Sequence, residues 1–280
     1  MGIDDIIIDK EKCVRDGRCA AICPSIFHVS SESGGYPVVL DSEKEMCMGC
    51  GQCVAICPAG AITNGNITLD TCPAIEPDLT INEKQMIQFL RSRRSVRVYK
   101  RKAVEPAVIE KLIRIAQYAP SAGNGQEVEW TVFNGRARLD NFVNAAMGWL
   151  KKEIQENPTG EIGSYAAHHA ILKDWETRKL DGLLWGAPAL LIASSDQDSC
   201  EAMVNITLAL SYLDLAAPAL GLGTCWTGTF NEAMGHNPLK AEIGLPPNHT
   251  HHYAMILGYP RYPFLRLPPR KPPVIHWQAK

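Results

Sequence analysis

Apolar and polar positions along this chain fall into two regimes that meet near residue 75. Beyond that point, apolar residues recur at helical or strand spacing over long stretches. Asn82 is placed to cap a helix through EKQMIQFLRSR, on which Met86, Ile87, Phe89 and Leu90 form an apolar side. Pro106 suits the first turn of a second helix, PAVIEKLIRIAQYA, with Ile109, Leu112, Ile113 and Ala116 at helical spacing. VEWTVF (128–133) predicts a strand, LDNFVNAAMGWLKKEIQEN a helix ending near Pro158, and PALLIAS (188–194) a second strand. Residues 200–220 predict a long, mostly apolar buried helix stopped around Pro218 and Gly221. HYAMILGY (252–259) predicts a third strand, followed by a proline-rich tail. Helices alternating with strands indicate an α+β or α/β domain of about 200 residues.

Before residue 75 the pattern shrinks to short apolar runs, turn residues and cysteines. CPAIEPDLTIN (72–82), with two prolines, reads as a connector, and the boundary is set at about residue 80, giving domains 1–80 and 81–280. Of ten cysteines, seven lie in residues 13–57, and only Cys72, Cys200 and Cys225 are elsewhere. Clustered short spacings point to metal rather than to cross-links. The run CMGCGQCVAICP carries Cys47, Cys50, Cys53 and Cys57-Pro58, a C-x2-C-x2-C-x3-C-P pattern. CVRDGRCAAICP repeats it with Cys13, Cys19 and Cys23-Pro24, but with Asp16 in the second slot. Three thiolates at every third position wrap a loop around three corners of a cube. A zinc ribbon instead needs two CxxC pairs, which a triple followed by a fourth Cys-Pro does not form.

The segment resembles bacterial-type two-cluster ferredoxins over about 70 residues. The resemblance implies two [4Fe–4S] clusters with the fourth cysteine of each motif crossing to the other cluster. One cluster would take Cys47, Cys50, Cys53 and Cys23; the other Cys13, Cys19 and Cys57, with Asp16 at its remaining iron. Some members of that family carry aspartate in this slot, so Asp16 is expected as a ligand variant. A carboxylate oxygen is a harder donor than a thiolate and should hold its iron less firmly, so this cluster is expected to convert readily to [3Fe–4S]. The alternative is that Asp16 faces solvent beside a native three-iron cluster. Cys72 lies outside both loops and reads as an ordinary thiol.

Two further stretches suggest a second cofactor. RSRRSVRVYK (91–100) gathers three arginines and a serine within five residues after a helix, a donor cluster suited to phosphate. APSAGNGQ (119–126) is a loop of small residues that brings backbone and amide groups close to a flat ligand. Singly, each has a plain explanation: a solvated basic helix end and a capping turn. Together with WGAPALLIASSD, LALSYLDLAAPALGLGTCWTG and LGYP…PPRKP, in this order over about residues 84–277, they resemble the nitroreductase family of flavoproteins.

That resemblance implies an α+β fold with helices flanking a sheet, and a homodimer with FMN at the subunit interface. Arg93, Arg94 and Ser95 would contact the FMN phosphate and ribityl chain, with Arg97 near the pyrimidine edge. Pro120, Ser121, Ala122 and Asn124 would come from the partner subunit, with Gln126 supporting the loop. Thr227 and Gly228 would turn backbone N–H groups toward flavin N5, and Arg270, with Lys271 or Arg266, would bind phosphate. The chain departs from the family pattern at Glu127-Val128, where a proline and an aromatic are common. It also departs at Thr227-Gly228, where some relatives carry an acid, and at Pro268.

His249, His251 and His252 begin a strand with no Cys or acid nearby and read as structural rather than as metal ligands. His168, His169, Tyr165, Trp175 and Trp185 lie in a segment that shapes the substrate pocket in this family, and either substrate stacking or core packing suits them. Cys225 is expected to pack near the flavin. No Ser–His–Asp or paired-carboxylate constellation stands out, so no catalytic side chain is assigned.

A formal net charge of −2 without basic blocks gives no electrostatic case for nucleic acid or an anionic membrane. No run is expected to reach bilayer-spanning length, the acidic start does not read as a signal peptide, and Gly2 lacks the context for myristoylation. A cytoplasmic setting is expected. The combined expectation is an FMN-dependent reductase. It receives electrons through its own clusters and passes a hydride from flavin N5 to a nitroaromatic, quinone or activated alkene. The donor would be a low-potential carrier such as ferredoxin, or NAD(P)H. One alternative is an NAD(P)H-dependent nitroreductase with accessory or outward-transferring clusters. Another is an iron–sulfur and flavin redox sensor or electron carrier.

Overall fold

The computed structural model describes residues 6–157 and 165–278. Expectations attached to Gly2, to Pro158 and to the Tyr165 side chain lie outside the described residues. Two compact units emerge: Met1–Thr80 together with Gly123–Gly125, and Ile81–Ala122 together with Gln126–Lys280.

The first unit is built from very short elements: β1 (Ile6–Ile8), α1 (Arg18–Ile22), β2 (His28–Val29), β3 (Pro37–Val38), α2 (Gln52–Ile56) and β4 (Ile62–Asn64). β1 pairs antiparallel with β4, and β2 with β3. Each helix starts after a left-handed glycine, Gly17 (φ 71°) and Gly51 (φ 72°). A side chain there would pay the strain of that conformation, so glycine lets each cysteine loop turn directly into its helix. The repeated motif thus becomes a repeated structure, with the cysteine in the third slot of each motif, Cys19 or Cys53, in the first turn. The core is small: Ile26, Phe27, Val54 and Ile62, plus Cys19 and Cys53 themselves.

The second unit comprises α3 (Glu83–Ser92), α4 (Pro106–Ala116), β5 (Glu129–Asn134), α5 (Arg136–Glu156), α6 (Tyr165–Arg178), β6 (Ala189–Ser195), α7 (Ala202–Ala216), β7 (Gly223–Trp226), α8 (Gly228–Met234), α9 (Leu239–Ile243) and β8 (His251–Gly258). Asn82 caps α3 as expected, in a reciprocal box with Gln85. The sheet runs β5-β6-β8-β7 and every pair is antiparallel, so the unit is α+β and not α/β. β6 is buried at every position. Its alternate residues feed opposite layers, Leu190 and Ile192 toward the face covered by α5 and α8, Ala189, Leu191 and Ala193 toward the face covered by α4 and α7.

Three expectations are corrected. The sheet has a fourth strand, β7, too short to show a period in the sequence. A helix, α6, occupies part of the middle segment for which only pocket-lining aromatics were expected. And Ala202–Leu220, α7 with its 3-10 extension, is long and apolar enough by length and composition to cross a membrane, with a mean hydropathy of 1.4 over an 18-residue window. Here Ile206, Leu210 and Leu213 pack on the sheet, and the helix carries buried Asn205 and Asp214 whose polar atoms are bonded within the unit.

Candidate functional site

In the first unit, Cys13, Asp16, Cys19 and Cys57 line one cavity together with Gly17, Ala61 and Ile62. These are the four residues expected at one cluster, including the cysteine from the other motif. Burial pushes the Cys19 thiol up, and the nearby Cys13 and Cys57 thiolates add to that. Cys23 and Cys53 are raised in the same way, by burial first and then by Cys47 and Cys50. The neighbours fall into two groups, Cys13, Cys19 and Cys57 in one, Cys23, Cys47, Cys50 and Cys53 in the other. Among the described residues no three His, Cys, Asp or Glu side chains gather as the ligands of a single ion would. Donors spread around a cavity suit a cube of iron and sulfide better than one zinc.

Asp16 is not a free carboxylate. It accepts the Arg18 backbone N–H at 3.2 Å and pairs with the Arg18 guanidinium at 3.2 Å. The sequence reading missed Arg18, whose role depends on the left-handed Gly17 between the two. It also missed Asn64, whose Nδ2 lies 3.6 Å from Cys47 Sγ and 3.7 Å from Cys53 Sγ.

In the second unit, the arginine segment lies along β7. Val96 N–H donates to Thr224 O at 2.8 Å, Lys100 N–H to Tyr259 O at 2.8 Å, and Arg261 N–H to Val98 O at 3.0 Å. Two glycines permit this close approach. A Cβ on Gly223 would overlap Val96, and one on Gly258 would come within 2.6 Å of Pro188 Cδ and 2.7 Å of Tyr99 Cδ1. Tyr99 is buried, its hydroxyl donates to Val96 O at 2.6 Å, and burial pushes its phenol far up, so it stays protonated.

The three arginines go to different partners rather than forming one cluster. Arg93 Nη1 reaches Asp214 at 3.3 Å, Arg94 lies over the Phe264 ring at 5.8 Å, and Arg97 over Trp185 at 5.6 Å. Neither the Arg94 nor the Arg97 guanidinium is spent on a hydrogen bond or ion pair among the described residues, which leaves charged donors open for an anion. Asp214, 4 % exposed, is the hub beneath them. Besides Arg93 it accepts the Trp226 indole N–H at 3.2 Å and a short bond from the Thr224 hydroxyl. Sequence reasoning missed it; an acid inside an apolar helix was its only signal.

The small-residue loop is pinned from α7. Asn205 Oδ1 accepts the Ala122 N–H at 3.0 Å while its Nδ2 donates to Cys200 O at 2.9 Å. Pro120, Ser121 and Gln126 line a cavity with Trp130, Asn205 and Ala209, and Ser121 Oγ accepts the Gln126 N–H at 3.1 Å. Asn124 and Gln126 both hold left-handed backbone, φ 55° and 52°. Asn124 belongs to the short segment grouped with the first unit.

The expectation for Thr227 is corrected. Its N–H donates to Ala254 O of β8 at 3.3 Å and its hydroxyl to the same oxygen at 2.9 Å, so β8 engages both groups. Gly228 opens α8, where the first N–H groups have no intrahelical acceptor. Arg270 lies in the exposed tail, and among the described residues no hydrogen bond or ion pair ties it to the arginine segment. Cys225 is buried; burial pushes its thiol up, against the pull of Arg97 and a Ser95 hydrogen bond.

His168 is buried and its Nε2 lies 3.0 Å from Glu232, yet that nitrogen makes no aligned hydrogen bond, so the contact is an ion pair only when the ring is protonated. His249 Nδ1 contacts Ser194 Oγ at 2.9 Å and His252 Nδ1 contacts Asn231 Oδ1 at 3.3 Å.

A model of the nitroreductase family matches residues 90–259, more than half of the chain. The chain belongs to the nitroreductase family. A model of the 4Fe–4S dicluster domain matches residues 5–58 ahead of it. An Archaeoglobus fulgidus protein provisionally named an NADH dehydrogenase/NAD(P)H nitroreductase is 27% identical over 178 residues, covering 64% of this chain and 87% of that one. Among solved structures, a Bacteroides fragilis nitroreductase with bound FMN superposes at a TM-score of 0.55 and 21% identity, over 71% of this chain and 100% of its own. A Desulfitobacterium hafniense nitroreductase with bound FMN gives 0.53 and 18% over the same shares. These likenesses establish the fold. This nitroreductase-family chain is an oxidoreductase with an iron–sulfur domain in front.

Proposed function

We propose that the protein is an FMN-dependent reductase supplied with electrons through its own clusters, acting on an electron-poor small molecule such as a nitroaromatic, quinone or activated alkene. The observation that carries this reading is the joining of a 4Fe–4S dicluster domain to a nitroreductase domain in one chain. When bound, the clusters handle single electrons and FMN converts them to two-electron chemistry. A covalent link raises the effective concentration of one centre at the other without any new contact. In this reading Cys13, Asp16, Cys19 and Cys57 hold the first cluster and Cys23, Cys47, Cys50 and Cys53 the second. Arg94 and Arg97 offer charged donors to the flavin, Asp214 keeps Arg93 oriented beside them, and the Gly228 N–H faces the flavin's reactive edge.

The reading includes a homodimer. Met86, Ile87, Phe89 and Leu90 of α3, Met203, Val204 and Tyr212 of α7, and Phe264, Leu265 and Trp277 of the tail are all exposed in the single chain. A second copy is the occupant that the FMN-bound family members suggest, and sedimentation of the holoprotein at twice the chain mass is the expected result. A cytoplasmic setting, where thiols stay reduced, completes the reading.

Anaerobic stopped-flow mixing tests the direction of transfer. Reduced ferredoxin is expected to reduce the clusters first and the flavin afterwards, followed by turnover with a model nitroarene. The name of the Archaeoglobus relative supports a second reading, direct reduction by NAD(P)H. Rapid bleaching of FMN by a nicotinamide, with the clusters reduced only later, would replace the first reading by the second.

A further inference from the structure

Asn64 closes β4, and its place is fixed by its own backbone. It sits opposite Ile6 of β1, and its N–H and C=O exchange bonds of 3.0 Å with Ile67. The main chain is therefore fully paired, and the side chain, 7 % exposed, cannot swing to water. Its amide nitrogen stands 3.6 Å from Cys47 Sγ and 3.7 Å from Cys53 Sγ, one hydrogen for each sulfur. Thiolates only accept, so the nitrogen and not the oxygen must face them. Both sulfurs belong to the second set. In the first set the corresponding donor is a main-chain group, Ala61 N–H to Cys57 Sγ at 3.3 Å, which no side-chain change removes.

We propose that Asn64 is the residue that holds up the reduction potential of the second cluster and so separates it from the first. One-electron reduction adds negative charge that spreads onto the ligand sulfurs. Two N–H dipoles aimed at those sulfurs in a buried setting stabilise the reduced form more than the oxidised one. The proposal rests on the dicluster reading but not on the direction of electron flow. Simple space-filling by Asn64 would change stability and leave the potential where it was.

The test uses the full-length protein loaded anaerobically, with Asn64→Asp and Asn64→Leu beside the native chain. Iron and sulfide per chain are measured first, because absent clusters in the native protein would fail the dicluster reading rather than this proposal. The second cluster is then titrated with a low-potential chemical reductant and followed by its reduced-state EPR signal. At the native midpoint, the reduced-to-oxidised ratio of the second cluster is expected to fall about tenfold in both variants, 59 mV for one electron. The first cluster should not move. A ratio within about twofold of native in the loaded variants, or an equal shift in both clusters, overturns the proposal. If neither Asp nor Leu retains the second cluster, Asn64→Gln, which keeps an amide, decides. Its added methylene displaces the amide from both sulfurs, so a second-cluster ratio that shifts at least twofold with the first cluster unmoved supports the donor role, and an unmoved ratio or continued loss of the cluster overturns it.

Discussion

The two units are held together by different physics. The second sets a four-stranded sheet between two apolar layers, with β6 buried along its whole length. The first has a core of six buried residues, two of which, Cys19 and Cys53, are proposed cluster ligands. A core that small leaves little hydrophobic stabilisation against chain entropy, so cluster binding must supply much of the first unit's folding energy. The second unit has burial enough to fold without its cofactor. A metal centre can thus be a structural element in one half of a chain while a flavin is a guest in the other.

The largest effect that would break this contrast concerns iron. Anaerobic chelation is expected to abolish amide hydrogen-exchange protection across residues 6–72 while the sheet of the second unit stays protected. Protection surviving in the iron-free first unit would mean its apolar core suffices. Next comes Asp214→Ala, which leaves the Arg93, Thr224 and Trp226 donors without their acceptor. A loss of about 3–5 kcal/mol in urea unfolding of the second unit is expected, together with weaker FMN binding. Gly223→Ala should cost about 1–3 kcal/mol by forcing Val96 off β7, with iron content unchanged. Asn82→Ala removes the α3 cap and should cost about 1 kcal/mol, read from the same urea transition.

Acid should produce the smallest change. Burial, then Lys240 and His251, hold the His252 pKa below its ordinary value of 6.5. The unfolded chain then takes up a proton that the folded one refuses. This part of the stability is complete above about pH 6.5 and is lost as pH falls through the folded pKa. Thermal unfolding of the second unit at pH 7 and pH 5 should show a drop that His252→Asn reduces; an equal drop in that variant would assign the acid sensitivity elsewhere.

Legibility followed distance along the chain. The cysteine grid, the Asn82 cap, Pro106 at the start of α4 and the apolar run of α7 are local patterns, each decided by neighbours a few positions away. The strands expected at 128–133, 188–194 and 252–259 run instead over Glu129–Asn134, Ala189–Ser195 and His251–Gly258, because pairing partners and not local preference end a strand. The Thr227 expectation failed for a related reason. Its N–H could be assigned to a ligand only until β8 supplied Ala254 as the nearer acceptor.

The amino-acid order alone determined which cofactor chemistry this protein carries, because the spacing of thiols and of small and basic residues is written in contiguous motifs. Only the tertiary structure decided which groups serve those motifs. Asn64 reaches Cys47 across 17 positions, Asn205 reaches Ala122 across 83, and Asp214 reaches Arg93 across 121. A buried polar side chain must find a partner wherever the fold supplies one, and nothing in its own stretch of sequence says where that will be.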